Sequence, residues 1–356
     1  MLHHGRRGIL GKGSSGETLV SHRSTTPFIN AIPWSDATGF GVAYADPAVA
    51  GVAGGSAMAF SPAGDAVAMA ISATPYVQAW AWNHPTGFGT KYANPAVLAT
   101  NSAVGVAFSP DGNAVAISSY NSPQVLVYAW NSVTGFGTKY SDPSVGLSGL
   151  GNGVAFSPAG DAIVVCIANG TPVVGAYRWD SITGFGTKYA TPATPPTGNA
   201  NGVVFTPSGD AVAFCHASAP YITAYPWSFA TGFGTKYANP TVGVGSVGYA
   251  IAFSPVANAV ALSSGNSSPR IHAWAWNSAT GFGTKYANPA VPPITVVYGI
   301  SFSPSGNALL VSYGGSPGII AWPWNSTTGF GTRYADPVYS ASNASQGLTF
   351  RKIPTP

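Results

Sequence analysis

Ten carboxylates, six histidines and two cysteines are the side chains of this 356-residue sequence best suited to attack, proton transfer or metal ligation. Acid–base work by carboxylates needs two of them at one bond, and their positions suggest no such pair. Asp65, Asp161 and Asp210 follow the Gly of a recurring turn and Asp111 precedes it, where an Asp bonds its own backbone. Asp46, Asp142 and Asp336 stand before a Pro where sister segments carry Asn or Thr, and Glu17 is the sole glutamate. The stretch SPDGN resembles a sialidase Asp-box but lacks that motif's following aromatic. His22, His84, His216 and His272 fall at different points of their segments, and His3 and His4 lie near the start, so no metal-ligand spacing arises. Cys215 and His216 are adjacent, which in a strand sends them to opposite faces. The expectation is a chain that is not an enzyme, with no cofactor and no metal.

Two repeated sets remain. The motif TKY or TRY supplies Lys91, Lys139, Lys188, Lys236, Lys285 and Arg333. These cations could hold phosphate or an anionic glycan, but a charge on an exposed strand also blocks pairing with foreign sheets, and edge protection is preferred. A Trp-rich segment supplies Trp80, Trp82, Trp130, Trp274, Trp276, Trp322 and Trp324. Packing in the core is preferred for these rings, with partial exposure of the alternate residue of each WxW. Trp82, Trp130, Trp276 and Trp324 are the candidates for stacking on a glycan.

The elements that position all these residues follow from one period. TGFG begins at Thr38, Thr86, Thr134, Thr183, Thr231, Thr280 and Thr328, always 48 or 49 residues apart. F-[ST]-P recurs at the same interval from Phe60 to Phe302, with a remnant, LTFRK, at Phe350. Such a period belongs to propeller blades. Within one unit, VGVAFS, AVAISS, QVLVYAW and FGTKYS are short, rich in β-branched and aromatic residues, and bounded by Gly, Pro, Asn or Ser, so each is a strand, a to d. Strands a and b are almost wholly apolar, as expected of sheets covered on both faces. The first TGFG precedes the first complete strand a, while QGLTFRK near the end is a strand a with nothing after it. The predicted fold is therefore all-β: a seven-bladed β-propeller of four-stranded blades, closed by a C-terminal strand a joining N-terminal strands b, c and d. It spans residues 17–352, with a flexible basic leader at 1–16 and a tail at 353–356.

Composition agrees. Only 7% of residues are charged, 46% are apolar, and Gly and Pro number 45 and 30, which disfavours helices, coiled coils and disorder. A net charge of +4 is too thin for a nucleic-acid footprint, and no stretch is long and apolar enough for a membrane-spanning helix. The leader MLHHGRRGILGKGSSG has no apolar h-region, so no signal peptide is expected.

The segment F-S-P-x-G-[DN]-A-[VIL] with a following x-[AV]-W-x-W strand resembles WD-repeat and related β-propellers. The pair after the Trp is mostly Trp-Asn, as in Trp82-Asn83, with Trp179-Asp180 keeping the acid, and the Gly-His opening of a WD unit is missing. The repetitive WN-x-x-TGFGTKY style is similar to propellers of tailed-bacteriophage virions. That resemblance implies a non-catalytic structural or adhesive virion component (capsid decoration, fibre or tail-associated protein), located in the virion, with other virion proteins as partners and a host-surface glycan as a possible ligand. The alternative is a lectin-like propeller that binds carbohydrate through the WN-TGFG loops. The a–b and c–d turns repeat closely on one face, while the b–c and d–a connections vary on the other. Variable loops on a rigid ring favour contact, so Tyr120, His216, Tyr249, Tyr298 and Tyr313 form the candidate binding face. Arg6, Arg7 and Lys12 form a candidate anchoring arm.

Overall fold

The computed structural model describes residues 17–265, 268–338 and 347–351. They form seven four-stranded antiparallel sheets, each in the order a-b-c-d. Numbering the blades along the chain, strand a of blades 1 to 6 is Gly55–Phe60, Ala103–Phe108, Leu150–Phe156, Ala200–Phe205, Gly248–Phe253 and Val297–Phe302. Blade 7 joins both ends of the sequence: Leu348–Arg351 pairs with Glu17–His22, which continues into Ile29–Ser35 and Gly39–Phe40. The register sets Leu19 opposite Phe350. Closure by the C-terminal strand a is thus as the sequence predicts.

Each strand b is buried along its whole length, for example Ala162–Ala168 and Ala259–Ser264. Each blade is covered on both faces, which explains why these strands lack polar–apolar alternation. The turns from a to b are capped as the sequence suggests, with a detail added. Ser61 Oγ accepts from the backbone N–H groups of Asp65 and Ala66 at 3.1 and 3.0 Å and donates to Asp65 Oδ1 at 2.7 Å. Ser157 with Asp161 and Ser254 with Asn258 repeat this arrangement. The carboxylates of these turns are therefore structural. Cys166 and Cys215 are buried and unpaired.

The WN-x-x-TGFG-T-KY motif forms the joint between blades. The Tyr following strand d of one blade packs edge-on against the Trp next to the last residue of strand c in the next, with ring centroids 4.8 to 5.2 Å apart at all seven junctions. Trp130 shows the full cage: Tyr92, Phe108 and Phe136 surround it at 5.0, 5.1 and 5.1 Å. The Tyr hydroxyl then donates to a backbone carbonyl in the neighbour's c–d turn, as Tyr140 does to Ser181 at 2.5 Å and Tyr189 to Phe229 at 2.8 Å. The first Gly of TGFG sits at positive φ beneath this ring; at Gly281, φ is +82° and a Cβ would lie 2.8 Å from Tyr237. Only glycine meets both demands.

The cations of the TKY motif fold back over the end of strand d. Lys91 and Lys285 donate to Asn94 and Asn288 at 2.8 and 2.7 Å, while Lys139 and Arg333 pair with Asp142 and Asp336. In blades 4, 6 and 7 strand d shrinks to two residues, so these edges are blunted by their shortness, in blades 4 and 6 together with the charge of Lys236 and Arg333 and in blade 7, where Ala43 takes that place, by shortness alone.

Candidate functional site

Strand a of every blade lines the central channel, and in blades 1 to 6 it is interrupted at one position. The register with strand b shifts between Gly55 and Ala57, Ala103 and Gly105, Gly151 and Gly153, Ala200 and Gly202, Gly248 and Ala250, and Val297 and Gly299. The residue skipped is Ser56, Val104, Asn152, Asn201, Tyr249 or Tyr298, always four before the strand-a Phe. A bulge turns an extra side chain away from the ladder and is a common device beside functional sites. Here it aims one side chain per blade into a cavity of about 520 Å³ at the channel mouth, a volume within the range of small-molecule sites. Below this ring lie small residues, such as Gly105, Gly153 and Gly202, which let neighbouring strands approach; a Cβ on Gly105 would stand 3.1 Å from the Gly153 Cα. Met58, Val106, Ile251 and Ile300 complete the wall.

The mouth is asymmetric. On blades 3 and 4, Asn152 Nδ2 donates to the Ala200 carbonyl and to Asn201 Oδ1, both at 3.2 Å, and Asn201 Nδ2 donates to the Gly248 carbonyl at 2.8 Å. Because the outer partners are backbone carbonyls, both amide orientations are fixed. Asn152 keeps its Oδ1 as an acceptor, and Asn201 keeps one N–H as a donor. On blades 5 and 6, Tyr249 and Tyr298 meet edge-to-face at 5.8 Å, and Tyr249 is 39% exposed. The channel strands adjoin in chain order around the ring, which puts blade 2 opposite the junction of blades 5 and 6. Tyr120, on the b–c loop of blade 2, therefore faces the Tyr249–Tyr298 pair across the cavity that all three line.

Of the five residues expected on this face, the structure brings together Tyr120, Tyr249 and Tyr298. His216 and Tyr313 are different. Each ends a strand b and is buried between blades, His216 with Nε2 2.7 Å from Thr223 Oγ1 and Tyr313 donating to the Ser316 carbonyl at 2.5 Å. Burial pushes His216 down to about 4, and His272, buried against Ser264, likewise. The glycan-stacking candidates Trp82, Trp130, Trp276 and Trp324 are all buried inside the joints. In each WxW the alternate residue is the half-exposed one. Residues i and i+2 share a strand face, so both rings enter the joint and the intervening Ala81 or Ala275 is the half-exposed one. Arg6, Arg7 and Lys12, the expected anchoring arm, lie outside the described residues. Sequence reasoning missed Ser56, Val104, Asn152 and Asn201, although they occupy a position where the repeat varies while its neighbours stay small.

No protein-family model matches the chain. No curated protein matches it by sequence. Among solved structures it is similar to the periplasmic gluconolactonase PpgL of Pseudomonas aeruginosa, with a TM-score of 0.74 and 15% identity over 95% of this chain and 100% of that one. It is also similar to a protein of Bacteroides uniformis provisionally named 6-phosphogluconolactonase, with a TM-score of 0.72 and 14% identity over 94% and 99% of the two chains. A protein of Bacteroides fragilis with the same provisional name gives 0.69 and 15% over 94% and 98%. At these identities the likeness shows the seven-bladed propeller fold. The names are those of enzymes, and they overturn the expectations of a non-catalytic virion component and of a chain that is not an enzyme. The lectin alternative falls with them, since its Trp residues are packed inside the joints.

Proposed function

We propose that this propeller is a hydrolase of sugar lactones whose active site is the channel mouth. The observation that carries this reading is the ring of six bulged side chains aimed into one cavity, with a fixed acceptor on Asn152 beside a fixed donor on Asn201. The whole-length likeness to gluconolactonase-type propellers supplies the reaction class.

The chemistry available is neutral. No carboxylate or imidazole is among the described residues that line the mouth, so catalysis rests on hydrogen-bond donors set where charge develops. The free N–H of Asn201 polarises the lactone carbonyl. The Asn152 Oδ1 accepts a hydrogen bond from one O–H of the attacking water and orients it. Water oxygen adds to the carbonyl carbon, the bond to the ring oxygen breaks, and that oxygen takes up the water's proton, leaving an open-chain hydroxy acid that ionises. Polarisation without a strong base suits an ester already activated by its ring. Tyr249 and Tyr298 offer ring faces for the C–H side of the sugar. Kinship with WD-repeat proteins is part of the same proposal and rests on the F-S-P-x-G-[DN]-A turns.

The test is background-corrected hydrolysis of D-glucono-1,5-lactone, followed by proton release. Asn201→Ala is expected to lose at least tenfold in kcat/KM, and a parent protein that never exceeds the uncatalysed rate would end the proposal.

A further inference from the structure

The channel mouth also carries information about what it excludes. None of the described residues lining the cavity is charged. The connection that leads into strand a of blade 7, YSASNASQ at residues 339–346, contains no Lys, Arg or His in its sequence. The arginines of the b–c loops are engaged elsewhere: Arg23 Nη1 with Asp46 Oδ1 at 3.4 Å and Arg270 Nη1 with the Pro293 carbonyl at 3.1 Å. The described residues contain no helix whose N-terminus could hold an anion. A phosphate moved from water to such a place would lose hydration without a cation to replace it.

Resting on the lactonase reading above, we infer that the site takes an unphosphorylated, uncharged sugar ring, held between Tyr120 and the Tyr249–Tyr298 pair with its carbonyl edge at Asn152 and Asn201. The arrangement fits each part of such a ligand. Opposed aromatic faces accept the apolar C–H surfaces of a six-membered ring. An adjacent acceptor and donor match the hydroxyl or carbonyl groups at its edge. A site built on hydrogen bonds of this kind rejects ligands that leave its polar groups unpaired or bring in a charge it cannot pair.

Val104 is the one bulged residue with an apolar side chain, and it gives the inference a constructive test. The probes are D-glucono-1,5-lactam, which is not turned over, and its 6-phosphate, with affinities measured by calorimetry on the full-length protein. The parent is expected to bind the neutral lactam at least tenfold more tightly than the phosphate. Val104→Arg should narrow or reverse that ratio by about tenfold, with Ser56→Arg as the second variant should the first not fold. Equal or tighter binding of the phosphate by the parent overturns the inference, and so does binding of neither lactam. Selective binding of the neutral lactam without hydrolysis of the lactone would uphold the inference and defeat the lactonase reading, so the two fail separately.

Discussion

The joints between blades and the channel mouth are made from the same repeat by opposite rules. At the joints, seven Tyr–Trp contacts fall within 4.8 to 5.2 Å of one another's ring centroids, because each blade must dock on the next with one fixed rotation for the ring to close. At the mouth, the six bulged residues are Ser, Val, Asn, Asn, Tyr and Tyr, on backbones that shift register at the same place. The lesson is that the motif repeated most faithfully, WN-x-x-TGFG-T-KY, is a fastening, whereas the position where repeats disagree is the one that faces the cavity. Sevenfold likeness serves closure; a small asymmetric ligand needs the symmetry broken.

The comparison can be broken most forcefully at a joint. Trp130→Ala empties a cage of three rings and should cost about 3–5 kcal/mol, read as a lower urea midpoint or loss of soluble protein. Acid should act next. His216 and His272 are held near 4 by burial, below the usual 6.5. Their unfolded forms bind protons first, so stability is full above about pH 6.5 and is lost as pH falls toward 4. A loss on the order of 2 kcal/mol or more is expected across that window, measured by denaturant midpoints at successive pH values. Tyr140→Phe, which removes one hydroxyl bond to the next blade, should cost roughly 0.5–1.5 kcal/mol. Tyr249→Phe should leave the melting temperature within a degree, since that residue is 39% exposed and lies outside any joint. A Tyr249→Phe loss equal to that of Tyr140→Phe would erase the distinction between the two regions.

The fold was legible because its causes are local and repeated. Each TGFG marks a turn needing positive φ, each F-[ST]-P a capped turn, and the unmatched LTFRK could pair only with Glu17–His22. The site was only partly legible. Tyr120, Tyr249 and Tyr298 stood out as aromatics near a variable face, but so did His216 and Tyr313, and nothing in their own segments says that the end of strand b is buried between blades. Asn152 and Asn201 were hidden for a different reason. In a regular strand their parity gives no sign of a channel-facing residue, and the bulge that redirects them is a backbone event with no residue signature of its own. Of the acidic residues searched for catalysis, those of the a–b turns are spent on capping and Asp46, Asp142 and Asp336 on ion pairs; burial pushes Asp111 up, yet hydrogen bonds from Ser109, Ser181 and Asn113 outweigh it and keep that carboxyl low.

The most direct test of the central claim, that work is done at the mouth and only holding at the joints, is lactone hydrolysis by a protein altered at the mouth alone. Asn152→Ala, Asn201→Ala and Tyr249→Phe combined should still unfold cooperatively, with a melting temperature lowered by several degrees because three hydrogen bonds between neighbouring blades are lost at roughly 0.5–1.5 kcal/mol each. Its rate with D-glucono-1,5-lactone should fall to the uncatalysed level. Parent-like turnover by this folded variant would contradict the account and move the active site away from the channel.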